Sequence, residues 1–455
     1  MKPRIRRLRL PDLILNRRGT ITFKIILAIF GIALKLFFRR IETVNADSVP
    51  SGTGVIFVMN HPNGLVDPAL VFVALPRRIS FLAKSTLFKM PVISFLLKTV
   101  EALPVYRKLD EGADVSQNQA TFRAAEERLR NGGSIALFPE GVSHNSPKLL
   151  PLKTGAARIA LGAVSIGDDP IELRIVPVGL HYTNKTTFRS EVLLHFGKAF
   201  RVERAEFEDD GQPPSKAVKE LTAKVETAIR EVTLNAEDEA ELHTAAIAER
   251  IFAAASEENE NLGEKLDFKK QYVERSDTDP KLTEKLAKFD SKLAAAGLEP
   301  EYLSLANLSR GFVIRQAIFQ TWALVMLLPL TIYGTILHFP AYQLTKLASY
   351  LFARHDADDI ASTVKVLAGM VFFPLTWIIS AGVLYLFSGS WLLALASMPF
   401  SFAAGYITLY SWEEATEMRG WAKAIWTLLM DKDTFLRLYV ERRELMASLE
   451  TFDRQ

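Results

Sequence analysis

The chain has no cysteine in 455 residues. That excludes disulfides, thiolate zinc sites, iron–sulfur clusters and a cysteine nucleophile, and it removes any sign of an oxidising compartment. No His-Glu-x-x-His occurs, so a metal hydrolase would have to gather His61, His144, His181 and His195 with Asp67 or Glu140 from scattered positions. The Gly-x-Ser-x-Gly elbow that a serine hydrolase built on Ser143 would need is also missing. Net charge is nearly absent at +3, but it is segregated: the first forty residues hold eleven Lys/Arg against Asp12 alone.

Two stretches lack Asp, Glu, Lys and Arg altogether. Ala317 to Phe339 runs for 23 residues and Val366 to Trp412 for 47. The second divides at Ser388-Gly389-Ser390 into two lengths of about 22 residues, each enough to cross a bilayer. Trp322, Trp377, Trp391 and Trp412 stand as interfacial anchors. Three membrane segments are expected, with Pro329 and Gly334 leaving a re-entrant path open for the first. Three full crossings would put residues 413–455 opposite the catalytic domain. At the N-terminus, Ile21 to Phe38 carries Lys24 and Lys35 on nearly one helical face, which predicts a helix lying in the membrane interface with its basic residues toward anionic headgroups.

Between these regions the pattern changes twice. Apolar runs alternating with helical patterns over 49–203 predict an α/β layer, with strands at Val55–Met59, Ile79–Ala83, Ser134–Phe138, Glu172–Val178 and Val192–Phe196. Helices are expected over Ala120–Arg130 and Thr154–Val164. Asp209-Asp210-Gly211-Gln212-Pro213-Pro214 then breaks the chain, and charged, Ala-rich helices follow. The expected division is a basic anchor at 1–48, a catalytic domain at 49–203, a charged helical region at 204–311, membrane segments over 312–412 and a helical tail at 413–455. The stretch Phe88 to Leu97 is too apolar for a plain surface loop, leaving open an acyl-channel wall, a membrane dip or core packing.

Chemistry concentrates after two of the strands. Asn60-His61-Pro62-Asn63-Gly64-Leu65-Val66-Asp67-Pro68 puts an imidazole before a carboxylate across a Pro-Asn-Gly turn. A base and a group to orient it are the minimum for activating a hydroxyl. Asp67 followed by Pro68 also reads as an N-cap and first helical residue, a role compatible with accepting from imidazole. Phe138-Pro139-Glu140-Gly141-Val142-Ser143-His144 follows another strand.

With Leu103-Pro104-Val105-Tyr106-Arg107 and Val176-Pro177-Val178-Gly179, these make four motifs in order over some 120 residues. The chain here resembles the phospholipid/glycerol acyltransferase family, most of all the branch with fungal-type glycerol-3-phosphate/dihydroxyacetone-phosphate acyltransferases. Two departures stand out: five residues separate His61 from Asp67 where four are usual, and Val142-Ser143-His144 replaces the usual Thr-Arg.

The resemblance implies a mixed sheet flanked by helices, glycerol-3-phosphate acyltransferase-like. It implies His61 as general base, Asp67 as its orienting partner, and Arg107, Glu140 and Gly141 at the acceptor site, with the Gly141 turn as a source of oxyanion donors. Lys84, Lys148, Lys153 and Arg158 would add positive potential, or stand as ordinary solvated charges. The implied reaction moves a fatty acyl group from acyl-CoA or acyl carrier protein to glycerol 3-phosphate or 1-acylglycerol 3-phosphate. Membrane lipids and the acyl donor are the implied partners, with no nucleic acid, no metal and no bound cofactor. An integral membrane protein with its catalytic domain on the cytoplasmic face is expected. The competing readings are a non-catalytic lipid-binding scaffold and a metal-dependent lipid hydrolase.

Overall fold

The computed structural model describes the chain except residues 1–3, 15–19, 108–113, 167–170, 208–211, 254–260, 277–278, 304–309, 353–357 and 455. The expected break at Asp209-Asp210-Gly211 lies outside the described residues. Two compact units emerge. The first joins Met1–Asn235 with Phe352–Val366, and the second joins Ala236–Leu351 with Leu367–Gln455.

In the first unit nine strands form one sheet: β1 (Ile5–Arg7), β2 (Arg40–Val44), β3 (Gly54–Met59), β4 (Ser80–Lys84), β5 (Leu103–Val105), β6 (Ser134–Leu137), β7 (Leu173–Tyr182), β8 (Glu191–Phe196) and β9 (Phe200–Arg201). Their order is β1-β2-β8-β7-β3-β6-β4-β5, with β9 paired to β7. The pairs β7–β3, β3–β6, β6–β4 and β4–β5 are parallel, whereas β8 and β9 run antiparallel to β7. The sheet is therefore mixed, with a parallel centre. All six residues of β3 are buried, because a parallel strand covered on both faces reads as one continuous apolar run.

The five expected strands are all present, and the sheet begins before residue 49. Arg40-Ile41-Glu42-Thr43-Val44 hides its strand character behind two charges, which pair with each other as Arg40 Nε donates to Glu42 at 2.7 Å. The strands β1, β5 and β9 are three, three and two residues long, too short to show alternation.

Helices α1 (Leu10–Ile14), α2 (Ile21–Phe37), α3 (Val66–Ala74), α4 (Pro91–Thr99), α5 (Asn118–Arg130), α6 (Gly155–Ser165) and α7 (Ser215–Val232) complete the unit. One face of the sheet, through Ile56, Val58 and Ile135, shares a core with α5, α6 and the Val218, Val225 and Ile229 stripe of α7. Helix α2 is two-sided. Phe23, Leu27, Leu34 and Phe37 are buried within the protein, while Ile21, Lys24, Ile25 and Ile29 are exposed. Met90 and Phe95, beside and within α4, are at least half exposed, so these two side chains of the apolar stretch are not core.

The second unit contains α8 (Glu239–Ala253), α9 (Leu262–Arg275), α10 (Pro280–Ala296), α11 (Arg310–Phe352), the greater part of α12 (Asp358–Ser388), α13 (Trp391–Met430) and α14 (Lys432–Arg454). The expected charged helix over Ala240–Ala255 is α8, and its last two residues lie outside the described ones. Helices α8, α9, α10 and α14 share a core that includes Ile251, Tyr272, Leu286, Phe289, Phe435 and Leu449. Within α11 to α13, Thr321–Phe352, Ala361–Ser388 and Trp391–Met430 are long and apolar enough to cross a membrane. The re-entrant path does not form, since Pro329 and Pro340 both sit inside the continuous helix α11. Gly334 instead lets α11 approach α13, where a Cβ would stand 2.7 Å from Ala404 O.

Candidate active site

The parallel strands β3, β6, β4 and β7 all end on one edge of the sheet, where open α/β sheets keep their sites. Val58 lies opposite Leu137, and Met59 opposite Val178, so the segments leaving β3 and β6 emerge side by side while β7 runs on past them to Tyr182. Asn60 fixes the first of them. Its amide both donates to Leu180 O (3.1 Å) and accepts from Leu180 N (2.8 Å), which extends the β3–β7 pairing by one side chain.

His61 comes next. Its ring stacks on Phe138, with centroids 3.8 Å apart and planes 11° from parallel. Its Nδ1 lies 2.8 Å from Asp67 Oδ2. A carboxylate accepts, so Nδ1 carries the proton and Nε2 is left as the acceptor. The extra residue between His61 and Asp67 is taken up in the turn, where Gly64 has a positive φ of 42°.

Asp67 is buried, and its carboxylate is held from three directions. Oδ2 also accepts from Asn63 N at 2.7 Å, and Oδ1 accepts from the Tyr182 hydroxyl at the end of β7. Burial first, and then the Asp67 charge, push the Tyr182 phenol well above its ordinary value, so it remains a donor. The anticipated N-cap role falls to another residue. Helix α3 starts at Val66 with Leu65 at its N-cap, and Asp67 is the second helical residue. Its carboxylate reaches back to the turn instead. The free helix-end donors find distant partners: Gly64 N donates to Ser143 Oγ (3.1 Å) and Leu65 N to Thr363 Oγ1 (3.0 Å).

Glu140 is buried with both oxygens in use. Oε1 accepts from His61 N (3.3 Å), while Oε2 accepts from Leu150 N (2.8 Å) and from His144 Nε2. The carboxylate thus ties the β6 loop to the backbone of His61. Gly141 turns at φ +77° and donates its N–H to Phe138 O at 3.0 Å, so that amide is not available to an oxyanion. Its carbonyl accepts from Arg107 Nη1 at 2.9 Å, and the stem of Lys153 lies alongside. Arg107 and Lys153 therefore meet at Gly141. Lys84 ends β4 opposite Val105, two residues before Arg107. Arg158 Nε points back to Thr154 Oγ1 at 3.4 Å, one turn away on its own helix. Among the described residues no three His, Asp or Glu side chains converge as a metal site would require.

This His–Asp pair, braced by the loop after the next strand, lies inside residues 40–181, which match the acyltransferase family model. Over these residues the chain is similar to acyltransferases. Glycerol-3-phosphate O-acyltransferase 2 of Saccharomyces cerevisiae is 36% identical over 140 residues, covering 31% of this chain and 19% of that protein. Glycerol-3-phosphate O-acyltransferase 1 of the same yeast is 25% identical over 443 residues, covering 75% of this chain and 58% of that one. The chain therefore spans less than two thirds of the length of either. The 1-acyl-sn-glycerol-3-phosphate acyltransferase of Bacillus subtilis is 28% identical over 121 residues, covering 26% of this chain and 56% of its own.

Within the matched residues, the fourth motif serves packing. Gly179 leaves room for the end of α7, where a Cβ would come within 2.7 Å of the Val232 carbonyl carbon. Tyr182, Ser143 and Thr363 escaped the sequence reading as partners of the His61–Asp67 turn. Tyr182 ends a strand running parallel to β3, a signal that strand pairing would have supplied. Nothing local marks Thr363, which lies 298 residues from Leu65.

Proposed function

We propose that this protein transfers a fatty acyl group from acyl-CoA, or from acyl carrier protein, to a hydroxyl of glycerol 3-phosphate or 1-acylglycerol 3-phosphate at a membrane. The observation that carries the reading is the 2.8 Å His61–Asp67 contact, inside the stretch that matches the acyltransferase family model. In the proposed step, His61 Nε2 takes the acceptor's hydroxyl proton as the oxygen attacks the thioester carbonyl. Asp67 holds the ring's tautomer and offsets the charge of the imidazolium. The tetrahedral adduct expels the thiolate, which takes the proton back from His61, so bonds and protons balance without a metal or bound cofactor.

The cations Arg107, Lys84 and Lys153 supply positive potential for the acceptor phosphate. The names of the yeast relatives favour glycerol 3-phosphate as acceptor, and that of the Bacillus relative favours 1-acylglycerol 3-phosphate. The exposed Ile21, Ile25, Met90 and Phe95 would rest on the bilayer, with the basic N-terminal residues favouring its cytoplasmic face.

Membranes carrying the protein, given labelled acyl-CoA with glycerol 3-phosphate, dihydroxyacetone phosphate and lysophosphatidate in parallel, test the reading. Transfer to a glycerol phosphate that is abolished in His61→Ala is expected. Full transfer by His61→Ala would overturn the role of the base, and no transfer to any acceptor would overturn the activity.

A further inference from the structure

Outside the matched residues, the start of α12 packs onto the catalytic turn. Thr363 Oγ1 accepts from Leu65 N at 3.0 Å, two residues before Asp67. Next to it, Ser362 Oγ donates to Lys185 O, the same carbonyl to which Asn63 Nδ2 donates at 3.3 Å. Lys365 Nζ donates to Thr186 O at 2.7 Å. Lys185 in turn donates from Nζ to Pro62 O at 3.4 Å and to Asn145 Oδ1. Ser362, Thr363 and Asn63 are all buried, so water cannot readily replace a lost partner. The contacts all fall within the first unit, to which Phe352–Val366 belongs.

We infer that Thr363 is a positioning residue for catalysis, and that residues 362–365 latch the His61–Asp67 turn from the first turns of an apolar helix. The inference rests on the proposed acyl transfer for its kinetic test but not for its structural one. Leu65 N–H is one of the donors left open by the start of α3, and Thr363 satisfies it where no local side chain does. Without that acceptor the N–H loses its partner in a part-buried site, and the turn gains freedom to move Asp67 off the imidazole. The latch acts on orientation and touches no substrate. Its loss should therefore lower kcat and leave both KM values in place.

The full-length protein in nanodiscs provides the test, with Thr363→Val, Thr363→Ser and the control Thr376→Val, whose hydroxyl bonds only back to Phe372 O within α12. Thr363→Val is expected to speed amide exchange at residues 63–65 and to lower kcat about fivefold or more, with each KM within about twofold. Thr363→Ser should restore both readouts, and Thr376→Val should match wild type. Unchanged exchange at 63–65 in Thr363→Val would overturn the latch, as would a loss of kcat that Ser does not restore. Should the wild type transfer no acyl group, the reading of the activity fails, and the exchange measurement still decides the latch.

Discussion

Asp67 has no solvent contact, and three donors, two from the turn before it and one from the end of β7, aim at its two oxygens. Each donor removed leaves a buried carboxylate with one fewer partner, an expensive state. Asp67→Asn keeps the shape but offers an amide where Nδ1–H needs an acceptor. Acyl transfer should fall by roughly 10³-fold or more, read as kcat in the membrane assay. Tyr182→Phe is milder. It deletes one hydrogen bond to a charged group, so about 2 kcal/mol of unfolding free energy should go, with a smaller loss of kcat. The phenol also carries a pH signature. Its raised value in the folded protein means its stabilisation is complete below about pH 10 and lost as the pH climbs toward the folded value. Alkaline titration of unfolding should therefore show a decline above about pH 10 that Tyr182→Phe lacks. An equal decline in both proteins would refute the assignment.

At the level of elements, apolar runs made β3, β4, β6, β7 and β8 legible, most plainly β3 and β6, whose residues are all buried and which carry no polar face to interrupt the pattern. Boundaries at the site were less legible. Asp67-Pro68 reads as an N-cap and first helical residue, yet α3 begins two residues earlier, because the carboxylate is committed to His61 and Asn63. The partners that hold this helix end, Ser143 and Thr363, come from 79 and 298 residues away, and no local pattern encodes them. His61 and Asp67 were visible because they share a turn; Tyr182 was not, because only sheet pairing brings it near. Gly141 shows how an element's conformation reaches the chemistry. With φ at +77°, Gly141→Ala should cost about 1 kcal/mol from the backbone alone. It should also shift the carbonyl that holds Arg107, raising KM for the phosphorylated acceptor more than KM for the donor. A variant with wild-type KM for the acceptor would separate Arg107 from phosphate binding.

For the whole molecule, the second unit constrains how often the chain can cross a membrane. Helices α8 to α10 precede the three apolar helices and α14 follows them. Even so, Leu286 and Phe289 of α10 share a core with Phe435 and Leu449 of α14, and Lys292 Nζ pairs with Glu441 at 2.7 Å. Leu303 O accepts from Arg442 Nη1 as well. Segments that share one core lie on one side of a bilayer, since a charged, hydrogen-bonded helix cannot be drawn through the hydrocarbon to meet its partner. A chain that leaves one side and returns to it crosses an even number of times. If that shared core forms in the membrane-bound protein, at most two of the three apolar helices between Leu303 and Phe435 would complete a crossing. Three full crossings, the expectation from hydropathy, would separate α10 from α14. The missing cysteines make this directly measurable, because a single introduced thiol labels without background. Lys285→Cys on α10 and Glu444→Cys on α14, both at exposed positions, should react with a membrane-impermeant maleimide from the same side of sealed vesicles. Labelling from opposite sides would mean that the shared core does not form in the membrane, and would restore the three-crossing topology.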